Sequence, residues 1–118
     1  MTTYGYFTLF GIFQLIHSQE EIWTGFHKKW FLFTMPKWLF ITFEIVLSAA
    51  IITYLFKPHL AGATVFMPWF IFGMLLNGME HVIWGAVKKS YVPGLVTAPL
   101  FIILFIPFYE SLLKASLR

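Results

Sequence analysis

The chain alternates between long apolar stretches and short clusters of lysine. No Asp, Glu, Lys or Arg lies between Met1 and Gln19. Only Glu44 interrupts the run from Lys37 to Lys57, only Glu80 that from Lys57 to Lys88, and only Glu110 that from Lys89 to Lys114. A helix needs about 20 mainly apolar residues to cross a hydrocarbon core. Four stretches meet that need: about Tyr4 to Phe26, Trp38 to Phe56, Leu60 to Val87 and Tyr91 to Leu113. The pattern predicts an all-α, polytopic transmembrane four-helix bundle, a single integral membrane domain over residues 1–118 with short loops.

Several residues refine that picture. Pro68 in the third span, and Pro99 and Pro107 in the fourth, each remove a backbone donor and are expected to kink their helices. Pro93 suits the first turn of the fourth helix. Gly5, Gly11 and Gly73 are expected to permit close helix packing. Trp30, Trp38, Trp84 and Tyr91 flank the lysine-rich loops, where an interfacial aromatic belt would lie. The first segment has neither the basic n-region nor the small-residue cleavage site of a signal peptide.

Composition excludes the main alternative. The chain is 59% apolar and only 11% charged, against about 25% charged for an ordinary soluble domain. Cysteine is absent, which excludes disulfides, thiolate zinc sites and iron–sulfur clusters. The net charge of +3 sits in loop lysines beside apolar spans, so membrane lipids are the expected partners and nucleic acid is not. With four spans, Lys28, Lys29, Lys37, Lys88 and Lys89 share one side, against Lys57, Lys114 and Arg118 on the other. The positive-inside rule makes the first side cytoplasmic in a multi-pass plasma (inner) membrane protein, with both termini outward.

A shift of sixty residues lays Phe10 on Phe70, Leu15 on Leu75, Glu20 on Glu80, Gly25 on Gly85 and Lys28-Lys29 on Lys88-Lys89. His17 then falls on Asn77, and Glu21 on His81. The match fades after Lys29. A duplication would mean two helical hairpins in the same orientation, related by an axis along the membrane normal.

The residues that break the apolar spans carry the chemistry. Counted from the lysine-rich side, His17 and Asn77 lie roughly 13 Å deep, Glu20, Glu80 and Glu44 about 9 Å, Glu21 and His81 about 8 Å, and Thr97 about 7 Å. All four spans thus place a polar group in one layer. His17, Glu20 and Glu21 share a helix face, as do Asn77, Glu80 and His81. Ionised groups facing lipid are costly and usually turn inward to pair; singly, Glu20 and Glu80 could instead snorkel to the interface and Asn77 could bond helix to helix. His27 and His59, beside loop lysines, are expected in solvent. Glu110 lies near the opposite end, within reach of headgroups or of Lys114 at i+4.

Three readings of the cluster follow. His17, Glu20, Glu21, Glu44, Glu80 and His81 are the ligand inventory of a metal-carboxylate bundle, suited to a divalent ion such as zinc, iron or manganese, although His17-x-x-Glu20 reverses the usual Glu-x-x-His spacing. Alternatively, His17 and Glu21 at i, i+4 could fix a tautomer while Glu44 or Glu80 moves a proton, making a metal-free acid–base isomerase of a lipid-like substrate. Buried Glu and His also form relays in proton- or cation-coupled carriers, and so thin-walled a carrier would be a homo-oligomer.

His17-Ser18-Gln19-Glu20-Glu21 resembles the signature of the HXXEE-domain family of small bacterial membrane proteins. Asn77 to His81 and Tyr91-Val92-Pro93-Gly94-Leu95-Val96-Thr97 look like the later part of that pattern, so the likeness covers nearly the whole chain. It implies a four-helix membrane protein of uncharacterised function. A fainter likeness, to the sterol-isomerase-like membrane proteins, rests on His17, Glu21, Glu44 and Asn77, in a chain that is shorter and has one helix fewer. The reading favoured at this point is a metal-dependent membrane enzyme acting on a lipid or another apolar small molecule. His17, Glu21, Glu44, Asn77 and Thr97 would then be catalytic, with Asn77 and Thr97 orienting substrate or ligands.

Overall fold

The computed structural model describes residues 1–118. The chain is all-helical: α1 (Thr3–Thr24), the single-turn α2 (Phe26–Lys29), α3 (Lys37–Phe56), α4 (Ala63–Lys88) and α5 (Ala98–Ser116). Of these, α3, α4 and α5 are long and apolar enough to cross a membrane. At 22 residues α1 is about 33 Å long, but Gln14, His17, Ser18, Gln19, Glu20 and Glu21 crowd its second half and dilute its hydropathy.

Local chemistry sets the helix limits. The Thr2 side chain accepts from the Gly5 N–H at 3.1 Å and caps α1, satisfying one of the donors a helix start leaves free. Gly25 ends α1 in the left-handed region at φ +80°, a conformation that costs glycine little. The helix expected to run unbroken to Phe26 therefore stops there and restarts as α2. The fourth span was expected from Tyr91, yet residues 91–97 form a turn and α5 starts at Ala98. Pro93 disfavours helical backbone at Val92, Gly94 takes φ +88°, and Pro99 occupies the first turn of α5 rather than its middle. Pro68 and Pro107 do lie inside α4 and α5.

The element spacing follows the sixty-residue offset further than the side chains do. Helices α1 and α4 begin at Thr3 and Ala63, and α3 and α5 end at Phe56 and Ser116.

Helix α1 lies innermost, packed against α3, α4 and α5. Its buried residues Phe7, Phe10, Gly11, Gln14, His17, Ser18 and Glu21 recur at three- and four-residue steps along one stripe. The first half of that stripe enters an aromatic core in which Phe7, Phe10, Ile51, Ile71, Phe101 and Phe108 are fully buried. Gly11 admits Ile51, whose Cγ2 lies 2.9 Å from where a Cβ would stand. Gly73 has no such neighbour and Gly5 meets only the first two residues, so neither brings helices together. That part is played by Gly78 and Gly85 on α4: a Cβ on Gly78 would lie 2.8 Å from the Ala98 carbonyl oxygen, and one on Gly85 2.9 Å from Leu95.

Helix α3 is different. Only Phe40, Glu44 and Ile51 are buried along it, while Phe43, Ile45, Val46, Ile52 and Phe56 are exposed. So broad an apolar face is costly in water and at home against acyl chains.

Candidate functional site

The second half of the α1 stripe is polar and ends in the motif His17-x-x-Glu20-Glu21. Spacing of i, i+4 sets His17 above Glu21, and His17 Nε2 lies 2.6 Å from Glu21 Oε1. From α4, His81 brings its Nε2 to 3.7 Å from the same oxygen, too far for a hydrogen bond. The two imidazoles meet edge to face, centroids 4.8 Å apart. All three residues are buried, and one donor atom from each lies within 4.8 Å of the others. Gly94 closes the group from the turn before α5. A Cβ there would stand 2.7 Å from Cε1 of both histidines, so the turn approaches the imidazoles with bare backbone.

The hydrogen-bond network assigns the protons. Glu20 Oε1 accepts from the Thr97 N–H at 2.9 Å and from the Thr97 hydroxyl at 2.7 Å. Its Oε2 accepts from the Val96 N–H at 3.1 Å and from the Tyr91 hydroxyl at 2.5 Å. A carboxylate only accepts, so the single hydroxyl proton of Thr97 is committed to Glu20. His17 Nδ1, 2.6 Å from Thr97 Oγ1, must then be the donor. Neutral His17 consequently presents a bare Nε2 to Glu21, and that short contact holds either one shared proton or a cation in its place. Both ring nitrogens of His81 lack a hydrogen-bond partner, and a buried polar atom left so costs about 1–3 kcal/mol.

A second polar chain runs beside the first. Gln14 Nε2 donates to Ser18 Oγ at 3.1 Å, and Ser18 donates to Glu44 across the α1–α3 contact. Glu80 accepts from the Trp30 indole. The two glutamates that the sixty-residue offset equates are thus held reciprocally: Glu80 of α4 by the loop after α1, and Glu20 of α1 by the loop after α4.

A cavity of about 470 Å³ opens between α3 and α4, floored by α1. Glu21, Glu44, Asn77 and Glu80 line it together with Gln14 and aromatic rings.

Of the residues singled out in the sequence, the fold thus brings His17, Glu21 and His81 into one group. It ties Glu20 and Thr97 to the far side of His17, and sets Glu44, Asn77 and Glu80 around the adjoining cavity. Glu20, Glu44 and Glu80, expected among the ligands, are held instead by hydroxyl, amide and indole donors. Other expectations need correction. His27 is buried against Phe40, and burial, with Lys28 and Lys37 nearby, lowers its pKa; His59, by contrast, is exposed as expected. Trp84 is buried with Phe26, Phe40 and Val92 rather than standing in an interfacial belt. The Tyr91 hydroxyl is pushed above its ordinary range by partial burial and by the Glu20 carboxylate. Sequence reading passed over Gln14, Ser18 and Gly94. Gln14 and Ser18 continue the buried stripe at i−3 and i+1 from His17, whereas Gly94 has no side chain by which spacing or polarity would mark it.

A family model described as protein of unknown function with HXXEE motif matches residues 8–109. The chain belongs to the HXXEE family. The motif that names the family is the one that supplies His17 and Glu21 to the buried group and Glu20 to its support. No curated protein and no solved structure matches the chain.

Proposed function

We propose that this HXXEE protein is a four-span membrane protein whose His17, Glu21 and His81 hold one divalent metal ion, used on an apolar substrate that reaches it through the cavity between α3 and α4. The observation that carries this reading is the buried convergence of three donors from two helices, with the nitrogens of His81 unpartnered. Two imidazoles and one carboxylate suit zinc, iron or manganese. Ligands about 2.0–2.2 Å from a tetrahedral ion stand about 3.3 Å apart, a value bracketed by the 2.6 Å and 3.7 Å separations around Glu21. Such an ion would supply Lewis-acid chemistry or an activated water.

The chain's own residues do the rest. Glu20 and Thr97 fix the Nδ1–H tautomer of His17 and turn Nε2 inward. Gly94 leaves room for both rings, and the aromatic core beneath excludes water. Glu44 and Asn77 meet the substrate's polar end. With α1 as the central span, its polar stripe is screened from lipid by α3, α4 and α5, and the lysine-bearing ends face the cytoplasm. Reporter fusions at the two termini should give the same side, and opposite sides would contradict the four-span arrangement.

Elemental analysis of the purified chain tests the metal. About one ion per chain is expected, lost in His17→Ala and His81→Ala and kept in Glu110→Gln and His59→Ala, which alter groups far from the triad. A wild type that takes up no zinc, iron or manganese, or a His81→Ala variant that keeps it, would overturn the metal reading. The 2.6 Å contact of His17 with Glu21 would then favour the acid–base alternative, with the shared proton as its reagent.

A further inference from the structure

The cavity between α3 and α4 has an unbalanced polar lining. Three carboxylates, Glu21, Glu44 and Glu80, reach it, and no lysine or arginine does. Gln14 adds another acceptor. The Ser18 hydroxyl proton goes to Glu44, so the Gln14 atom 3.1 Å from Ser18 must be the donating nitrogen. Its Oε1 is the free end, without a partner on a side chain only 3% exposed. Around these acceptors stand the rings of Phe26, Trp30, Phe33, Phe40 and Phe43. Carboxylates with aromatic faces and no cation form an environment for a positive charge: the ring quadrupole attracts it and the carboxylates neutralise it. The free Gln14 oxygen also asks for a donated N–H. On the α3 side the rim includes Leu39 and Phe43, both exposed on the apolar outer surface, so the opening faces acyl chains.

We infer that the cavity binds a lipophilic amine: an apolar chain or ring system carrying a protonated nitrogen. The nitrogen donates to Gln14 Oε1 and Glu44, its charge lies against the aromatic rings, and the apolar body extends past Leu39 and Phe43 into the bilayer. This assignment deepens the proposed function by naming its substrate class, and it rests on that reading only for the link between cavity and triad. Glu21 is engaged by His17, so an acid would meet the like charges of Glu44 and Glu80, and an alcohol would leave those two without a counter-charge.

The test is equilibrium binding to the full chain in lipid nanodiscs, with radiolabelled dodecylamine compared with dodecanol and dodecanoate, counting only the saturable part above bilayer partition. Dodecylamine should saturate at about one per chain and bind at least about tenfold more tightly than dodecanol, with dodecanoate unsaturable. Glu44→Gln keeps the acceptor for Ser18 but removes the charge, and should weaken amine binding about tenfold; Glu110→Gln should not change it. Equal binding of amine and alcohol, saturable dodecanoate, or a Glu44→Gln variant equal to wild type would overturn the inference. Metal content measured on the same nanodiscs separates the two proposals. Saturable amine binding without metal overturns the metal reading and supports this one; bound metal without amine binding does the reverse.

Discussion

In the C-terminal hairpin, α4 and α5 close on each other through glycine: Gly78 sits against the Ala98 carbonyl and Phe101, and Gly85 against Leu95. In the N-terminal hairpin, α1 and α3 touch through Gly11 and Ile51 at one end and through the Ser18–Glu44 bond at the other. The sixty-residue offset makes the contrast specific, because Ser18 stands where α4 has Gly78, and Glu44 where α5 has Leu104. At that position one hairpin closes through bare backbone, and the other through a hydrogen bond between buried polar groups. Helix α5 also packs onto α1, whereas α3 makes few contacts with α4. The cavity lies where that second contact is missing. One hairpin supplies a close-packed wall, and the other, opened by polar residues, supplies most of the buried polar side chains.

Gly94→Ala should break the arrangement most completely. It forces a Cβ onto both histidines and an L residue into φ +88°, at a cost of about 3 kcal/mol or more. Detergent-based unfolding should register that loss, together with loss of bound metal. The contrast between the hairpins is sharpened by Gly78→Ala against Gly11→Ala. The first meets the Ala98 backbone oxygen as well as Phe101 and should cost about 2 kcal/mol, while the second meets a single side-chain methyl, Cγ2 of Ile51, and should cost about 1 kcal/mol. Equal losses would mean that the C-terminal hairpin is no tighter than the other.

The smallest effect concerns the turn after α1, where His27 stands in place of Val87. Its pKa in the fold lies below the ordinary 6.5. A depressed histidine pKa contributes stability that is full above the unfolded value and is lost as pH falls through the folded one. The chain should therefore weaken slightly below about pH 6.5, and His27→Phe should reduce that slope. An unchanged slope would place the titrating group elsewhere.

The long apolar stretches made the helices legible, and the one polar layer shared by the spans held His17, Glu21 and His81 among its members without separating them from the others, because burial of polar groups in apolar spans leaves few alternatives. Helix ends were less legible. The turn at 91–97 depends on Pro93, Gly94 and Pro99 acting together, while the hydropathy of that stretch continues unbroken. Nor does spacing distinguish a glutamate that faces the triad from one held by a loop. Glu20 and Glu21 are neighbours in sequence, and their separation comes from Thr97 and Tyr91, more than seventy residues away. Trp30 and Tyr91 read as belt aromatics because their hydrophobic rings are visible in sequence and their polar partners are not.

The claim that one site is assembled from both hairpins has a direct spectroscopic test. X-ray absorption at the metal edge of the zinc-loaded chain should give two imidazoles and at least one carboxylate oxygen at about 2.0–2.2 Å, and His81→Ala should leave no zinc to give a signal, with the tight α4–α5 contact left intact. A first shell unchanged by His81→Ala, or one made only of oxygen, would place the metal outside the triad and contradict the account.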